Sequence, residues 1–278
     1  MNNNYYKHVI SLGYFCSVAL ELERIGLRNT AYPFDWCISD FSGVIEAIEN
    51  GFSEWLDSKW LSQYKTYMHI FRNDKYNIEF YHDFSAYKPL EEQIISVKEK
   101  YNRRIARFYQ DIKEPTLFVR YIDEKKDNNG QFKELKWIEE NKDKIDKVLK
   151  SYCKYNEIIY IGNSNLTSKV INIFPVEKDN NDNVARKPLE KNEDLNAFLN
   201  SIDCTNKKQN IEIYQKKDRQ RTRFSMRLNK KIEEKIIYKV KSNYSAPRLG
   251  YINFWSKQRK YNFCFIIALL RKVDNFSM

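Results

Sequence analysis

Val9-Ile10-Ser11-Leu12-Gly13 is an apolar run that ends in glycine and leads through Tyr14-Phe15 to Cys16. A short apolar run of this kind predicts a buried strand. The chain then continues to Leu27 with apolar residues recurring at helical spacing. The sequence therefore predicts a strand followed by a helix, with Cys16 at the first turn of that helix.

Two roles are open for Cys16 at this junction. The unpaired backbone N–H groups and the positive end of the helix dipole favour a thiolate, and this predicts a thiol pKa below the free value of about 8.5. A thiolate is the form that attacks an acyl carbon. The alternative is a small apolar side chain that fills the crevice between strand and helix, as many free cysteines do.

Two later apolar segments extend the same pattern. Leu117-Phe118-Val119-Arg120-Tyr121-Ile122 and Glu157-Ile158-Ile159-Tyr160-Ile161-Gly162 predict strands, and helical patterns run from Leu90 to Gln110 and from Gln131 to Cys153. Strands that alternate with helices predict an α/β fold with a mainly parallel sheet covered by helices on both faces. In such sheets the reactive residues gather beyond the carboxyl ends of the strands, where Cys16 is expected.

Shorter elements are predicted between the first strand and the long helix. A helix capped by Asp40 is expected to follow that residue, and strands are expected from Thr66 to Phe71 and from Asn77 to His82. The polar run Glu177 to Asn183 predicts a surface loop. We therefore expect an α/β core domain in residues 1–178 and a basic, partly helical extension in residues 179–278.

Four separated motifs occur in order along the first half of the chain: Ser11-Leu12-Gly13 with Cys16, Gly26-Leu27-Arg28, Pro33-Phe34-Asp35-Trp36 and His82-Asp83-Phe84. The series resembles an uncharacterised bacterial family classed as papain-like cysteine peptidases. The resemblance implies a Cys16 nucleophile and a His82 base. A papain-type fold would place the nucleophilic helix ahead of an antiparallel sheet, so on the fold the resemblance and the strand pattern disagree.

The chain offers three histidines as the base. His8 precedes the first strand and is expected at the end of that strand remote from Cys16. His69 lies inside a predicted strand, where its side chain can lie either in the core or at the surface. His82 ends a predicted strand and belongs to the fourth motif, so it is the predicted base, with a structural role in the loop as the alternative.

A carboxylate is expected to orient the imidazole of His82. Asp35 is predicted for this role because Phe34 and Trp36 flank it, and a half-buried carboxylate needs a partner. It could equally cap a turn or pair with Arg28. Asp123 follows the second strand and is the geometric alternative.

The cysteines and glycines argue against several other sites. The five cysteines are scattered without a C-x-x-C pair, so neither a disulfide framework nor a zinc site is predicted. No glycine-rich phosphate-binding motif is present. The sequence therefore predicts no cofactor and no metal.

Charge divides the chain. Residues 1–180 carry 26 Lys+Arg against 27 Asp+Glu, whereas residues 181–278 carry 22 against 10. An amphipathic basic helix is predicted from Ser225 to Lys239. It suggests an anionic partner, either a membrane surface or an acidic polysaccharide. Nucleic acid is not expected, because no groove-reading motif is present.

The amino-terminal residues are polar, and the longest apolar run, Phe263 to Leu270, is too short to span a bilayer. We therefore expect a cytoplasmic protein. Its predicted function is hydrolysis of a peptide, amide or ester by a Cys16 nucleophile with His82 as the base. The alternative is a non-hydrolytic transferase or accessory protein of surface-polysaccharide assembly, docked to the inner membrane face.

Overall fold

The computed structural model describes residues 6–65, 67–179, 184–202, 204, 207, 209–220 and 222. The chain divides into two compact units, Met1–Lys216 and Lys217–Met278. The charge follows this division, because residues 217–278 carry 16 Lys+Arg and 4 Asp+Glu while residues 1–216 carry 32 and 33. The basic helix predicted from Ser225 to Lys239 lies outside the described residues.

The elements of the first unit are strands and helices. In chain order they are β1 (His8–Ser11), α1 (Cys16–Arg24), β2 (Cys37–Ser39), α2 (Phe41–Glu49), β3 (Leu61–Gln63), β4 (Phe71–Asn73), β5 (Ile78–Phe80), α3 (Leu90–Asp111), β6 (Thr116–Tyr121), α4 (Lys133–Glu140), α5 (Lys142–Lys150), β7 (Glu157–Asn163), β8 (Ile173–Val176), α6 (Pro188–Lys191) and α7 (Glu193–Ser201). A short 3-10 helix, Ser58–Trp60, precedes β3.

The central sheet is parallel, with strand order β1-β6-β7-β8. Ile10 of β1 pairs with Phe118 of β6, and Phe118 pairs with Ile158 of β7. The mixed α/β fold with a parallel sheet, predicted from the three apolar runs, is confirmed. The fourth strand, β8, was not predicted, because it has only four residues and includes Pro175.

A second, antiparallel sheet with strand order β2-β5-β4-β3 lies in the connection between α1 and β6. Each of its strands has three residues. The strand predicted from Thr66 to Phe71 is wrong in position, since β4 begins only at Phe71. The side chain of Asn73 accepts a hydrogen bond from the Tyr76 N–H at 2.9 Å, which closes the turn from β4 into β5. The chain therefore combines a parallel sheet with an antiparallel sheet after α1.

The long helix α3 agrees with its predicted range within one residue. The helix predicted from Gln131 to Cys153 is two helices, α4 and α5, that meet at Asn141. The Asn141 side chain donates to the Trp137 carbonyl at 2.9 Å, and its backbone has φ −117°, outside the helical range. This local hydrogen bond competes with the helix and ends it.

Alternating residues of the parallel sheet belong to two apolar clusters, as the pleat of a strand requires. Val9 and Leu117 pack in a cluster with Leu195 and Leu199 of α7. Ile10 and Phe118 belong to the other cluster, with residues of α2, α3 and the small sheet. Because α7 contributes buried side chains beside β1, the first unit continues beyond residue 178, where the sequence places the domain boundary, and ends at Lys216.

In the part of the chain that the structure describes, no helix combines the length and the apolar character that a membrane span requires.

Candidate functional site

The turn after β1 depends on Gly13. This residue has φ +86°, a conformation that favours glycine. A Cβ at Gly13 would lie 2.5 Å from Ser39 Oγ and 3.1 Å from Arg120 Nη1. The Gly13 N–H also donates to Ser11 Oγ at 3.2 Å. The first motif is thus a tight turn that carries the chain from β1 to Cys16.

Cys16 is the first residue of α1 and is half-buried. Phe15 occupies the N-cap position and provides no side-chain hydrogen bond to the helix end. Burial raises the pKa of the Cys16 thiol, against smaller lowering effects of its own backbone N–H and of Arg186. The direction is opposite to the expected lowering, because the loss of solvation on burial exceeds the lowering effects of the backbone N–H and of Arg186.

His82 is exposed and follows β5. Its ring contacts Trp36 at a centroid distance of 6.1 Å and Tyr81 at 5.8 Å. Within the described residues, no hydrogen bond or ion pair joins His82 to Cys16 or to Asp35. The fourth motif is instead packed against the third.

The register of the small sheet places His82 and the turn that leads to Cys16 at opposite ends of β2 and β5. Cys37 pairs with Phe80 and Ser39 pairs with Ile78. The Ser39 N–H donates to the Tyr14 carbonyl at 3.0 Å, so the turn that leads to Cys16 lies at the Ser39 end of β2. His82 continues from Phe80 and leaves the sheet at the other end.

Asp35 is fully buried. Its Oδ2 accepts hydrogen bonds from Arg28 Nε and from the Tyr32 N–H, both at 2.8 Å. Burial raises the pKa of this carboxyl group, while Arg28 and Tyr32 favour its ionised form. Of the roles left open by the sequence, the structure shows the ion pair with Arg28, which joins the second motif to the third.

The other two histidines lie in different places. His8 Nε2 is 3.1 Å from Glu114 Oε2, beside the amino end of β1. The His69 ring contacts the rings of Tyr67 and Tyr81. Neither histidine has a hydrogen bond to Cys16 in the described structure.

Asp83 of the fourth motif lies in a buried hydrogen-bond chain. Its Oδ2 accepts from the Tyr101 hydroxyl at 2.8 Å, and Lys100 forms an ion pair with its other oxygen. The Tyr101 oxygen is also 3.3 Å from Cys37 Sγ. Burial raises the pKa of the Cys37 thiol far above its ordinary value, so Cys37 is not a candidate nucleophile.

Four polar side chains that the sequence analysis did not combine meet beyond the carboxyl ends of β1, β2 and β6. They are Tyr14, Asp40, Asp123 and Lys125, and we call them the Asp123 cluster. Lys125 Nζ lies 3.2 Å from Asp123 Oδ2 and 6.0 Å from the centre of the Tyr14 ring. Two residues of this site follow apolar segments in the sequence. Asp123 follows a predicted strand, and Asp40 follows a shorter apolar segment.

The titration of the Asp123 cluster reflects its partial burial. Burial and the charge of Asp123 raise the pKa of Tyr14 well above its ordinary value. Burial also raises the pKa of Asp40, opposed by Lys125 and Arg120. Two carboxylates, a hydroxyl and an ammonium group at one edge of the sheet can bind a charged or hydrogen-bonding ligand.

Arg120 and Glu134 form a buried ion pair that stabilises this edge of the sheet. Arg120 is fully buried, and its guanidinium donates to both carboxylate oxygens of Glu134, at 2.9 and 2.6 Å. It also donates to the Leu12 carbonyl at 2.8 Å and to the Ser39 carbonyl at 2.6 Å. One side chain thus ties β1, β2 and α4 to β6 and fixes the turn at Gly13.

The described residues contain no group of three or more His, Cys, Asp or Glu side chains placed to hold a metal ion.

Comparison with known proteins identifies the family but no activity. No solved structure matches the chain significantly. An uncharacterized protein of Acanthamoeba polyphaga mimivirus is 32% identical over 121 residues, which cover 36% of this chain and 54% of that protein. The chain thus spans about half the length of this curated relative. The family model described as "Putative papain-like cysteine peptidase (DUF1796)" matches residues 7–151, more than half of the chain, so the chain belongs to that family.

Proposed function

We propose that the protein is a thiol-dependent hydrolase in which Cys16 attacks the carbonyl carbon of a peptide, amide or ester. The observation that carries this proposal is the position of Cys16 at the first residue of α1, directly beyond the carboxyl end of β1. This is the edge at which α/β sheets collect reactive groups. Membership in a family described as peptidases supports the bond class.

The first turn of α1 suits the stabilisation of an oxyanion. Its N-cap residue, Phe15, has no side chain that can accept from the backbone N–H groups of the turn. Those N–H groups can therefore donate to the oxygen of a tetrahedral intermediate formed on Cys16. Backbone donors of this kind stabilise the negative charge that develops as the sulfur attacks.

The proposal requires that the Cys16 proton leave when a substrate is bound, because burial keeps the resting thiol protonated. His82 is the proposed acceptor on the strength of its motif, and it has to approach Cys16 to act. Asp35 belongs to the proposal as a positioning residue, since it holds Arg28, whose guanidinium lies 5.8 Å from the centre of the Trp36 ring against which His82 packs.

The proposal can be tested without a known substrate. The full chain is incubated with a panel of peptidyl and acyl vinyl sulfones, and the modified cysteine is identified by peptide mass spectrometry. We expect modification at Cys16 that is lost in Cys16→Ala and strongly slowed in His82→Ala. Cys153→Ala is the matched control, because Cys153 is also half-buried but precedes β7.

Two results contradict the proposal. Equal modification in the wild type and in Cys16→Ala removes Cys16 as the nucleophile. Loss of modification in Cys153→Ala, with Cys16 unmodified throughout, does the same. Unchanged modification of Cys16 in His82→Ala keeps the nucleophile and removes His82 as the base.

A further inference from the structure

The ammonium group of Lys125 occupies a site built for a cation. It lies 3.2 Å from Asp123 Oδ2 and 6.0 Å from the centre of the Tyr14 ring. The carboxylates of Asp40 and Glu79 also attract it. Carboxylates together with an aromatic face are the groups by which proteins hold alkylammonium ions.

The Asp123 acceptor of this site is buried, whereas the lysine that pairs with it is exposed. The Asp123 side chain is 8% exposed, but the Lys125 side chain is 63% exposed. The Tyr14 ring stacks on Tyr121 at a centroid distance of 6.5 Å. Because an ion pair with an exposed lysine contributes little stability, a cation from outside can replace Lys125 at small cost.

The Asp40 side chain does not cap its own helix. It occupies the N-cap position of α2 but makes no side-chain cap hydrogen bond. The Phe41 N–H at that helix end donates instead to Glu134 Oε2 at 3.3 Å. The Asp40 carboxylate accepts from the Asn77 side-chain amide, and the Lys125 charge lowers its pKa. Glu134 therefore caps the amino end of α2 in place of Asp40.

We propose that Tyr14, Asp40 and Asp123 form a recognition site for the alkylammonium group of a substrate, such as a lysine side chain in a peptide, and that Lys125 fills the site until the substrate arrives. This inference rests on the proposed function, because it assigns the substrate class of the Cys16 site. Tyr14 precedes Cys16 by two residues, so their Cα atoms are at most about 7 Å apart. Tyr14 and Cys16 both follow β1, so the proposal places the ammonium group of the substrate near the acyl group that Cys16 attacks.

Binding by the full-length Cys16→Ser chain, which cannot turn over substrate, tests the site. The probes are Nα-acetyl-lysine methylamide and Nα-acetyl-norleucine methylamide, which lacks the ammonium group, and affinities are measured by calorimetry. We expect the lysine probe to bind at least about tenfold more tightly, since that factor corresponds to one good charged contact. Lys125→Met should tighten the lysine probe further, and Asp123→Asn should remove the preference.

Lys144→Met is the matched control, because Lys144 forms an exposed ion pair with Glu49 at 3.0 Å elsewhere on the surface. It should leave the affinity for lysine unchanged. If circular dichroism shows that Asp123→Asn is unfolded, Asp40→Asn replaces it and should also weaken the lysine probe.

The inference is overturned if the Cys16→Ser chain does not distinguish lysine from norleucine, if adding Lys125→Met has no effect, or if the preference survives the loss of the carboxylates. Those results identify the Lys125 contact as a simple surface ion pair. A lysine preference in a chain whose Cys16 proves inert supports the ammonium site and contradicts the hydrolase. A reactive Cys16 without a lysine preference supports the hydrolase and contradicts the ammonium site.

Discussion

Arg28 and Asp35 form an ion pair inside the protein, with Arg28 Nη2 2.8 Å from Asp35 Oδ2 and neither side chain more than 4% exposed. The pair joins the Gly26-Leu27-Arg28 motif to the Pro33-Phe34-Asp35-Trp36 motif. Trp36 then contacts both Arg28 and His82. Three of the four motifs are therefore parts of one packed unit beside α1.

Removal of one partner of this pair should be strongly destabilising. Asp35→Ala leaves the buried Arg28 charge with Glu23, 3.0 Å away, as its remaining ion-pair partner, so the loss should lie towards the lower end of the about 3–5 kcal/mol typical of a broken buried pair. Urea unfolding followed by circular dichroism measures the loss. Glu114→Gln, which breaks an exposed contact with Lys7, is the control and should change stability by at most about 1 kcal/mol.

The double variant Arg28→Met/Asp35→Leu separates charge from packing. Since apolar residues of similar volume often replace a buried ion pair without loss, the double variant should be more stable than Asp35→Ala. An Asp35→Ala protein as stable as the wild type contradicts the structural role of the pair.

A substitution at Gly13 should be more harmful than one at another glycine with the same backbone conformation. Gly13→Ala brings a Cβ to 2.5 Å from Ser39 Oγ, and φ is +86°. Gly51 has φ +72° and open space around it, so Gly51→Ala shares the backbone strain without the clash. That strain alone costs on the order of 1–3 kcal/mol.

Urea denaturation of both glycine variants supplies the comparison. Gly13→Ala should lose clearly more stability than Gly51→Ala. It should also disturb the Arg120 hydrogen bonds that fix the turn before Cys16. Equal losses in the two variants indicate that the loop moves freely away from Ser39.

The sequence predicted those elements whose stability is local. The strands β1, β6 and β7 are apolar runs, and α3 has a long amphipathic period, so both are visible without knowledge of distant contacts. The small sheet has three-residue strands, whose existence depends on pairing between distant segments. Local pattern carries little information about such strands.

The candidate site was also predicted only in part, because some of its contacts join segments that are distant in the sequence. Cys16 could be placed because it follows an apolar run directly. The partner of Asp35 was left open between a turn and Arg28, and the folded chain shows that Asp35 accepts both from the Tyr32 N–H and from Arg28. The Asp123 cluster joins residues from three separate strand ends, so no single window of sequence displays it.

Alkylation of resting Cys16 should be slow near neutral pH. Because burial raises the pKa of this thiol, its thiolate fraction at pH 7.5 is smaller than that of a free thiol of pKa about 8.5. The rate constant with iodoacetamide, measured by peptide mass spectrometry from pH 6 to 10, should stay below that of N-acetylcysteine. Its midpoint should lie above about 8.5.

The effect of Arg186 gives a second check on Cys16. The Arg186 charge lowers the Cys16 pKa, so Arg186→Gln should move the midpoint of alkylation to higher pH. A wild-type midpoint below that of the free thiol contradicts the dominance of burial at this site.

The basic region after Lys216 should bind anionic membranes. Residues 217–278 carry all the excess positive charge of the chain. Vesicles of phosphatidylserine and phosphatidylcholine should therefore retain the full chain in a sedimentation assay, and pure phosphatidylcholine vesicles should not. Binding should weaken as salt increases, because charges are screened over about 10 Å at 0.1 M ionic strength.

Two truncated chains distinguish this role from a role in folding. A chain that ends at Lys216 keeps α6 and α7, so it should unfold cooperatively in urea and lose only its affinity for the anionic vesicles. A chain that ends at Lys178 lacks Leu195 and Leu199, which are buried in the cluster with Val9 and Leu117. It should lose cooperative unfolding, since each large apolar side chain removed from a core typically costs about 2–5 kcal/mol. Vesicle binding by the chain that ends at Lys216, equal to that of the full chain, would show that the basic region is not the membrane contact.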